Sequence, residues 1–294
     1  MSCSARIPVY VMLTALLFPA APVKASLLFT AAYVAGITAA LAMALLFKMT
    51  ILKGESRPLV LELPAYRLPS LKKALMETFS RGKIFVREAG TVILLISIAL
   101  WFLATYPKSA PPDEAAALTT QAAALEGQGQ TAEAKIALAE ADQLTSRHAL
   151  SRSFAGRFGR FIEPILKPLG FDWQIGIGIV SSFAAREVIV STLAIVYGIG
   201  EESAEGDSRS FYDTLRMAKR SDGAPVFGVA TCASLLMFYI LAMQCLPTQA
   251  VTKRETNTWK WPLFQLGYMT VLAYAAAFVT YQVTHHVLAA IGAG

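Results

Sequence analysis

The sequence predicts an all-α protein that crosses a membrane several times, and three observations lead to this prediction. Apolar residues make up 55% of the 294 residues, and charged residues only 16%. The mean hydropathy is positive, which is unusual for a soluble domain and excludes a disordered chain. The apolar residues are also gathered into runs long enough to cross about 30 Å of hydrocarbon as helices. We therefore predict a polytopic helical membrane protein with about six transmembrane segments.

The predicted spans fall into two membrane regions. Region 1–106 contains spans at about 7–20, 26–47 and 84–106, and region 153–294 contains spans at about 175–198, 226–247 and 263–290. The first span is short and follows Arg6, so a cleaved signal peptide is an alternative interpretation. Pro8, Pro19 and Pro22 instead favour a hairpin of two spans.

The basic residues of the short loop 48–83 determine the predicted orientation. They are Lys48, Lys53, Arg57, Arg67, Lys72, Lys73, Arg81 and Lys83. Cytoplasmic loops carry an excess of Lys and Arg, so we expect this loop in the cytoplasm. Alternation of the spans then places 199–225 inside as well, and 107–174 and 248–262 outside. The outer side would hold three further basic residues, Lys253, Arg254 and Lys260.

Two segments have the pattern of helices that lie on a membrane surface. In the cytoplasmic segment 64–83, apolar residues recur at helical spacing between basic residues, namely Leu68, Leu71, Leu75 and Phe79. After position 153 the same pattern is formed by Phe154, Phe158, Phe161 and Ile165. Amphipathic basic helices bind anionic lipid. A surface that docks a partner protein is the alternative for the first segment.

The segment 107–152 differs in composition from its surroundings. It is rich in Ala, Gln and Glu, and 126–130 reads "EGQGQ", a turn signal. We predict a soluble helical hairpin inserted between the two membrane regions.

Several classes of function are disfavoured by composition. The net charge of +6 is spread over loops, so no nucleic-acid partner is expected. Cys3, Cys232 and Cys245 form no C-x-x-C pair and no disulfide framework. No G-x-x-x-x-G-K-[ST] stretch occurs, and no nucleophile has a recognisable base. We therefore do not expect an enzyme.

Arg186 and Glu187 lie side by side near the middle of the predicted span 175–198. Charges at this depth are costly and usually mark an ion or proton pathway, although structural pairing with other helices is the alternative. Wound as one helix, the span places four residues on a stripe, Ala184, Glu187, Ser191 and Ala194. Ser181 and Ser182 precede the charges and favour a helix break that faces an ion.

A second group of polar residues ends the predicted span 226–247. Gln244 and Cys245 are followed by Pro247, which interrupts a helix, and by Thr248. A thiol, an amide oxygen and a broken helix end suit a borderline metal such as Fe(II). An inert cysteine at a helix terminus is the alternative.

Several stretches in order along the chain resemble the ferrous iron transport protein B family, FeoB. They are "MSCSARIPVY" (1–10), "LELPAYRLPSL" (61–71), "REAGTVILLIS" (87–97), "IEPILKPLGFDWQIG" (162–176), "AAREVIVSTLAIVYG" (184–198) and "MQCLPTQAVTKRETNTWKW" (243–261). The resemblance implies a multi-pass importer of Fe²⁺ in the bacterial inner membrane, with two gate motifs and a GTP-binding domain at the N-terminus. Fe²⁺ would be its substrate, without a permanently bound cofactor.

The resemblance also implies which residues meet the ion. "AAREV" and "QCLP" resemble the second gate, which places Glu187, Gln244 and Cys245 in or beside the path. "MSCSAR" resembles the tail of the first gate, so Cys3 is a further candidate. The residues expected to support the gate are Arg186, Ser181, Ser182, Ser191, Pro247 and Thr248.

The GTPase domain and the upstream part of the first gate do not occur in this sequence. We therefore expect the chain to be a fragment or split subunit that needs a separate GTPase and first-gate polypeptide. Its other expected partners are the lipid bilayer, small accessory proteins of iron uptake and further copies of itself. The alternatives are a transporter of another divalent metal or small solute, and a non-transporting membrane scaffold.

Overall fold

The computed structural model describes most of the chain. The described residues are 4–51, 70–107, 110–127, 130, 134, 137–138, 141, 144–145, 148–149, 151–183, 186, 188–197, 208–218, 220, 225–242 and 245–291. Over these residues the secondary structure is helical and contains no strand. The all-α prediction is thereby confirmed for the described chain.

Twelve α-helices follow one another in these residues. They are α1 (Ile7–Leu17), α2 (Pro22–Thr50), α3 (Leu71–Phe85), α4 (Thr91–Thr105), α5 (Asp113–Gly127), α6 (Phe154–Leu166), α7 (Trp173–Ser182), α8 (Val188–Val196), α9 (Ser208–Met217), α10 (Val229–Leu241), α11 (Leu246–Thr256) and α12 (Lys260–Ile291). Short 3₁₀ turns occupy Ser4–Arg6 and Lys167–Leu169, and a π-helical turn, Val86–Gly90, joins α3 to α4.

Helices α1 and α2 form an antiparallel hairpin. Tyr10 of α1 packs against Phe29 and Tyr33 of α2, with ring centroids 6.1 and 5.6 Å apart. Each helix has a proline in its first turn, where a missing N–H costs no hydrogen bond. Helix α1 is buried along most of its length, so the segment 7–20 belongs to the packed core.

Two of the helices are long and apolar enough to cross a membrane, α2 and residues Lys260–Ala290 of α12. Only 6% and 11% of their most apolar windows are buried within the protein, whereas a helix in the core of a soluble protein is mostly buried. These two helices coincide with the predicted spans 26–47 and 263–290. Helices α1 and α10 are apolar but shorter, and the number of spans stays a prediction.

The helices predicted to lie on a membrane surface expose their apolar side chains. Leu71 and Phe79 of α3 are exposed, and so are Phe158 and Phe161 of α6. Leu68 lies outside the described residues. The exposed faces suit the predicted surface location, which stays a prediction.

The inserted segment 107–152 is helical where it is described. Ala115 and Ala122 of α5 are buried, as are Ala134 and Ala141, and within each pair the spacing is seven residues. Small residues at this spacing let two helices approach closely. The predicted soluble hairpin stays a prediction.

Helix α10 lies at the centre of the molecule. It packs along α12, where Ser234 Oγ donates to the carbonyl oxygen of Ala277 (3.0 Å), and it also packs against α1 and α2. Its last turn approaches α2, where a Cβ added at Gly36 would lie 3.7 Å from Ile240. The apolar core therefore surrounds the helix that leads to Cys245.

Contacts between the helices identify two ends of the molecule, named here after Phe47 and Gly170. At the Phe47 end, the ring of Phe47 in α2 packs against Phe264 and Tyr268 in α12. At the Gly170 end, Arg220 donates to the carbonyl oxygen of Gly170. The ring of Tyr281 in α12 packs against Gly170. The α1–α2 turn also lies at the Gly170 end, because the neighbouring Arg216 donates to the carbonyl oxygen of Ala15 (2.6 Å).

Candidate functional site

The segment 175–198, predicted as one span, is a hairpin of two helices in the structure. Helices α7 and α8 contain 10 and 9 residues, so each is about 15 Å long or slightly less. That length covers about half of a hydrocarbon layer. The prediction of a continuous span differs from the structure because hydropathy counts apolar residues and does not register a reversal of direction.

Side-chain contacts show that the two helices are antiparallel. At the open end of the hairpin, the Tyr197 hydroxyl donates to Asp172 Oδ2 (3.1 Å), and Gln174 Nε2 donates to the carbonyl oxygen of Val196 (3.3 Å). Near the tip, Ser181 Oγ lies 3.0 Å from Thr192 Oγ1. The tip therefore lies between Ser182 and Val188, where Phe183 and Arg186 are the described residues.

The described part of the predicted stripe does not form one common face. Ser191 is exposed and donates to the carbonyl oxygen of Val188, whereas Ala194 is fully buried. The two lie three residues apart within α8 and differ in burial, so they do not face a common neighbour. Ala184 and Glu187, the other members of the stripe, lie outside the described residues.

A second break separates α10 from α11. Ala242 and Cys245 have extended backbone conformations (ψ 149° and 160°), and α11 then begins with Leu246. The N–H of Leu246 donates to the carbonyl oxygen of Phe183 at the hairpin tip (2.9 Å). The two breaks are thus joined by a backbone hydrogen bond.

Two buried arginines hold the end of α10. Arg6 Nη1 and Nη2 donate to the carbonyl oxygens of Ile240 (2.7 Å) and Ala242 (3.1 Å). Arg186 Nη2 donates to the same Ala242 oxygen (3.0 Å). The side chains are 2% and 4% exposed. Cations at the C-terminus of a helix interact favourably with its dipole, so both charges are used to stabilise the break.

A hydroxyl pair also links the hairpin to α10. The Tyr239 hydroxyl donates to Ser182 Oγ (2.9 Å), and Ser182 Oγ donates to the carbonyl oxygen of Ile179 (2.6 Å). The guanidinium carbon of Arg186 lies 6.0 Å from the centroid of the Tyr239 ring. Ser181 and Ser182 therefore join the arms and the neighbouring helix through hydrogen bonds.

The predicted metal-binding residues are only partly described. Cys245 is half-buried at the N-cap of α11, with its Sγ 3.5 Å from Thr248 Oγ1. Glu187, Gln244 and Cys3 lie outside the described residues, and Pro247 belongs to α11 without a described side chain. Among the described residues, no three His, Cys, Asp or Glu side chains come together as a metal cluster.

The open end of the hairpin contains a partly buried carboxylate. Asp172 Oδ1 accepts a hydrogen bond from the N–H of Ile175 (2.8 Å) and so caps α7. Burial raises the pKa of the Asp172 carboxyl above its ordinary value, although this hydrogen bond, the Tyr197 hydroxyl and the charge of Arg220 oppose the shift.

Sequence reasoning did not assign two of the residues around the breaks. Arg6 and Tyr239 both contribute polar groups there. A charged residue directly before an apolar run could have indicated Arg6. No pattern pointed to Tyr239, because its polar contact depends on how two distant segments pack.

Two family models match the chain. The model described as "Ferrous iron transport protein B C terminus" matches residues 29–81, and the gate model described as "Nucleoside recognition" matches residues 86–259. The second match spans more than half of the chain and contains both helix breaks.

Curated relatives align with nearly the whole chain. The Fe(2+) transporter FeoB of Leptospira interrogans is 41% identical over 290 residues, which covers 96% of this chain and 37% of the relative. The FeoB of Helicobacter pylori is 31% identical, and the match covers 97% of this chain and 42% of the relative. A Porphyromonas gingivalis protein named as a fusion of Fe(2+) transport protein A and FeoB is 33% identical, and the match covers 96% of this chain and 33% of the relative. This chain therefore spans well under half the length of these relatives. No solved structure matches it significantly.

Proposed function

Because the chain belongs to the gate family and aligns with FeoB proteins over nearly its whole length, we propose that it forms part of a path for Fe(II) across a bacterial inner membrane. In this proposal it is the C-terminal membrane portion of a FeoB-type transporter. It acts as a multi-pass transporter portion rather than as an enzyme.

One structural observation carries the proposal, namely that two helix breaks meet inside the molecule. Secondary transporters use discontinuous helices in this way, because unwound backbone and helix ends supply oxygen atoms for an ion at half depth. Here the Phe183 carbonyl and the N–H of Leu246 join the two breaks, and Cys245 lies at the junction.

The proposed path uses the residues at these breaks. Fe(II) sheds part of its water to meet Cys245, Gln244 or nearby carbonyl oxygens, which are ligands a borderline metal accepts. It then passes Glu187, whose negative charge offsets the cost of removing the ion from water. Arg186 does not contact the ion in this proposal. It stabilises the helix break beside the path, because its guanidinium donates a hydrogen bond to the Ala242 carbonyl oxygen.

The partners follow from the same proposal. A separate polypeptide supplies the GTPase and the first gate, and the fusion protein of Porphyromonas gingivalis supports a small accessory protein as a further partner. Fe(II) is the substrate, the lipid bilayer surrounds the chain, and copies of the chain associate with one another.

Iron uptake by point variants tests the function. The chain is expressed with its N-terminal complement in cells that lack iron uptake, and accumulation of Fe(II) is measured. We expect Glu187→Gln and Cys245→Ser each to reduce uptake at least about tenfold, since each removes a ligand. Cys232→Ala serves as a matched cysteine control, because Cys232 is buried in the apolar core and donates to the Phe227 carbonyl. Normal uptake by both site variants would contradict the proposal.

The description of the gate family as "Nucleoside recognition" favours one alternative, a small organic solute. Competition for Fe(II) uptake by Mn(II), Zn(II) and nucleosides separates it from the proposed function. We expect competition by divalent metals and none by nucleosides.

A further inference from the structure

The first turn of α11 contains a buried side chain that the path described above does not use. Gln249 is 7% exposed, and neither Nε2 nor Oε1 of its carboxamide has a hydrogen-bond partner. Buried amides in proteins are almost always hydrogen-bonded, because an unpartnered one forfeits its bonds to water. A buried, unpartnered carboxamide therefore either contacts a ligand or lowers the stability of the folded protein.

The position of Gln249 directs its carboxamide toward the helix break. Gln249 lies one turn after Cys245, and its N–H donates to the Cys245 carbonyl oxygen (3.4 Å), so the two side chains share a face. Long side chains on a helix point back toward its N-terminus. Thr248 Oγ1 lies 3.5 Å from Cys245 Sγ at the same place. The first turn of α11 thus carries a thiol and a hydroxyl in contact, and a buried amide whose expected direction is toward them.

The backbone of this turn shows what kind of ligand it suits. The N–H of Leu246 is bonded to Phe183, Pro247 has no N–H, and the N–H groups of Thr248 and Gln249 both point to the Cys245 carbonyl (3.0 and 3.4 Å). An anion at a helix N-terminus is held by free N–H groups, and the turn from Leu246 to Gln249 has none to offer. The remaining groups are oxygen and sulfur atoms, which are donors for a metal cation.

We propose that Gln249 is a further contact of the permeating cation, with Oε1 as the donor atom beside Cys245 Sγ and Thr248 Oγ1. This inference rests on the proposed function. The amide and hydroxyl oxygens carry no net charge, so they hold a divalent cation weakly enough to release it, as conduction requires. Sulfur beside two oxygens favours Fe(II) over a hard cation such as Mg²⁺, so Cys245 provides the selectivity and Gln249 adds an oxygen donor.

Binding and stability measured together test this role. The full chain is purified anaerobically in detergent micelles, Fe(II) is titrated by calorimetry, and thermal unfolding is recorded without metal. We expect Gln249→Leu to weaken Fe(II) binding at least about tenfold, as loss of a contact to a metal does. Its melting temperature should equal or exceed that of the wild type, because leucine removes the unpartnered amide without leaving a cavity.

Gln174→Leu is the matched control. Gln174 is equally buried, but its Nε2 donates to the Val196 carbonyl, so its loss should lower the melting temperature and leave Fe(II) binding unchanged. Unchanged Fe(II) binding by Gln249→Leu, or a lowered melting temperature, overturns the inference. If Cys245→Ala weakens binding while Gln249→Leu does not, this inference fails and the proposed function stands. A wild-type chain that binds no Fe(II) overturns both.

Discussion

Two buried arginines bring together parts of the chain that are far apart in sequence. Arg6 comes from the stretch that resembles the tail of the first gate, and Arg186 from the stretch that resembles the second. Removing a guanidinium from water is costly unless hydrogen bonds and opposite charge replace the water. Here the carbonyl oxygens of Ile240 and Ala242 and the negative end of α10 provide both. The position of the α10 break thus depends on residues outside α10.

Arg6→Lys tests that dependence. Lysine keeps the charge but has no planar fork, so it cannot reach both carbonyl oxygens as arginine does. We expect the free energy of unfolding to fall by about 2 kcal/mol, the range for hydrogen bonds made by charged groups. Unfolding in detergent is followed by circular dichroism. Arg157→Gln is the control, because Arg157 is exposed on α6 and should change the free energy by less than about 0.5 kcal/mol.

A single glycine fixes the other end of the hairpin region. Gly170 has φ +79°, and a Cβ there would lie 2.1 Å from the ring of Tyr281. Gly170→Ala should therefore lower the free energy of unfolding by more than about 2 kcal/mol, through both strain and overlap. Gly267→Ala in α12 has open space around its Cβ and should raise stability by up to about 1 kcal/mol. Equal melting temperatures for the two variants would contradict this account.

At the residue scale, sequence reasoning identified polar groups and could not assign their contacts. Charge within an apolar run pointed to Arg186, and a proline after a thiol pointed to the break at Cys245. The bonds of Arg186 to Ala242 and of Tyr239 to Ser182 join residues 56 and 57 positions apart. Such contacts depend on tertiary packing, which periodicity does not encode.

At the scale of elements, the hairpin of α7 and α8 replaces a predicted span. A Cβ added at Gly178 would lie 3.2 Å from the side chains of Ile189 and Leu193, so glycine at this position lets α8 lie close against α7. Ser181 and Ser182, before the charges, did predict a break. They did not predict that the chain turns back, because the turn at 183–187 is defined by contacts between the two arms.

A cysteine pair distinguishes a hairpin from a continuous helix. Ser181 and Thr192 are 11 residues apart, which in one helix would separate them by about 16 Å. In the hairpin their oxygen atoms are 3.0 Å apart, close enough for a disulfide between cysteines. We expect Ser181→Cys/Thr192→Cys to form an intramolecular disulfide on mild oxidation, detected by mass spectrometry of a peptide digest. The pair Ser181→Cys/Ser191→Cys should remain reduced, because Ser191 is exposed whereas Ser181 is buried.

The pH dependence of stability tests the cap of α7. Because burial raises the pKa of Asp172, its contribution to stability is complete below the ordinary carboxyl pKa and is lost as pH rises through the raised value. Asp172→Asn keeps an oxygen for the Ile175 N–H and does not titrate. The melting temperature of this variant minus that of the wild type should therefore increase from pH 4 to pH 7.

Two results would complete or contradict this explanation. Asp172→Ala loses the cap and should be less stable by about 1 kcal/mol than Asp172→Asn at every pH. A difference between Asp172→Asn and wild type that does not change with pH would show that the carboxyl titrates normally.

At the scale of the whole molecule, the hairpin changes the predicted orientation. A hairpin leaves the membrane on the side where it entered, so the segments after it exchange sides relative to simple alternation. The region around α9 then lies with the α1–α2 turn at the Gly170 end, as the bond of Arg216 to Ala15 requires. The basic residues Lys253, Arg254 and Lys260 move to the side of the basic loop 48–83. This orientation stays a prediction, and it satisfies the positive-inside rule where simple alternation violates it.

Labelling of single cysteines tests this orientation. In a chain whose native cysteines are replaced, Lys72→Cys, Lys253→Cys and Asp213→Cys are treated in intact cells with a membrane-impermeant maleimide. All three positions are exposed. We expect label at position 213 only, and label at all three after the cells are opened. Label at 253 but not at 213 in intact cells would restore the simple alternation.

The helical class and the two long apolar helices were predictable, because composition and run length depend on the sequence alone. Half-length helices were not, because a largely apolar run of 24 residues fits either one span or two arms. Whether such a run forms one span or a hairpin depends on the surfaces that the rest of the protein offers for packing.

In the proposed path the hairpin tip lies at half depth in the membrane, and this position has an electrical consequence. An ion that enters from the Gly170 end and reaches the break has crossed roughly half of the membrane potential. Moving one elementary charge through the whole potential is worth about 2.3 kcal/mol per 100 mV, so a divalent ion at half depth gains the same amount. That energy corresponds to a roughly 45-fold increase in occupancy for every 100 mV. A cell with a negative interior would thus concentrate Fe(II) at the junction of the breaks before any conformational step takes place.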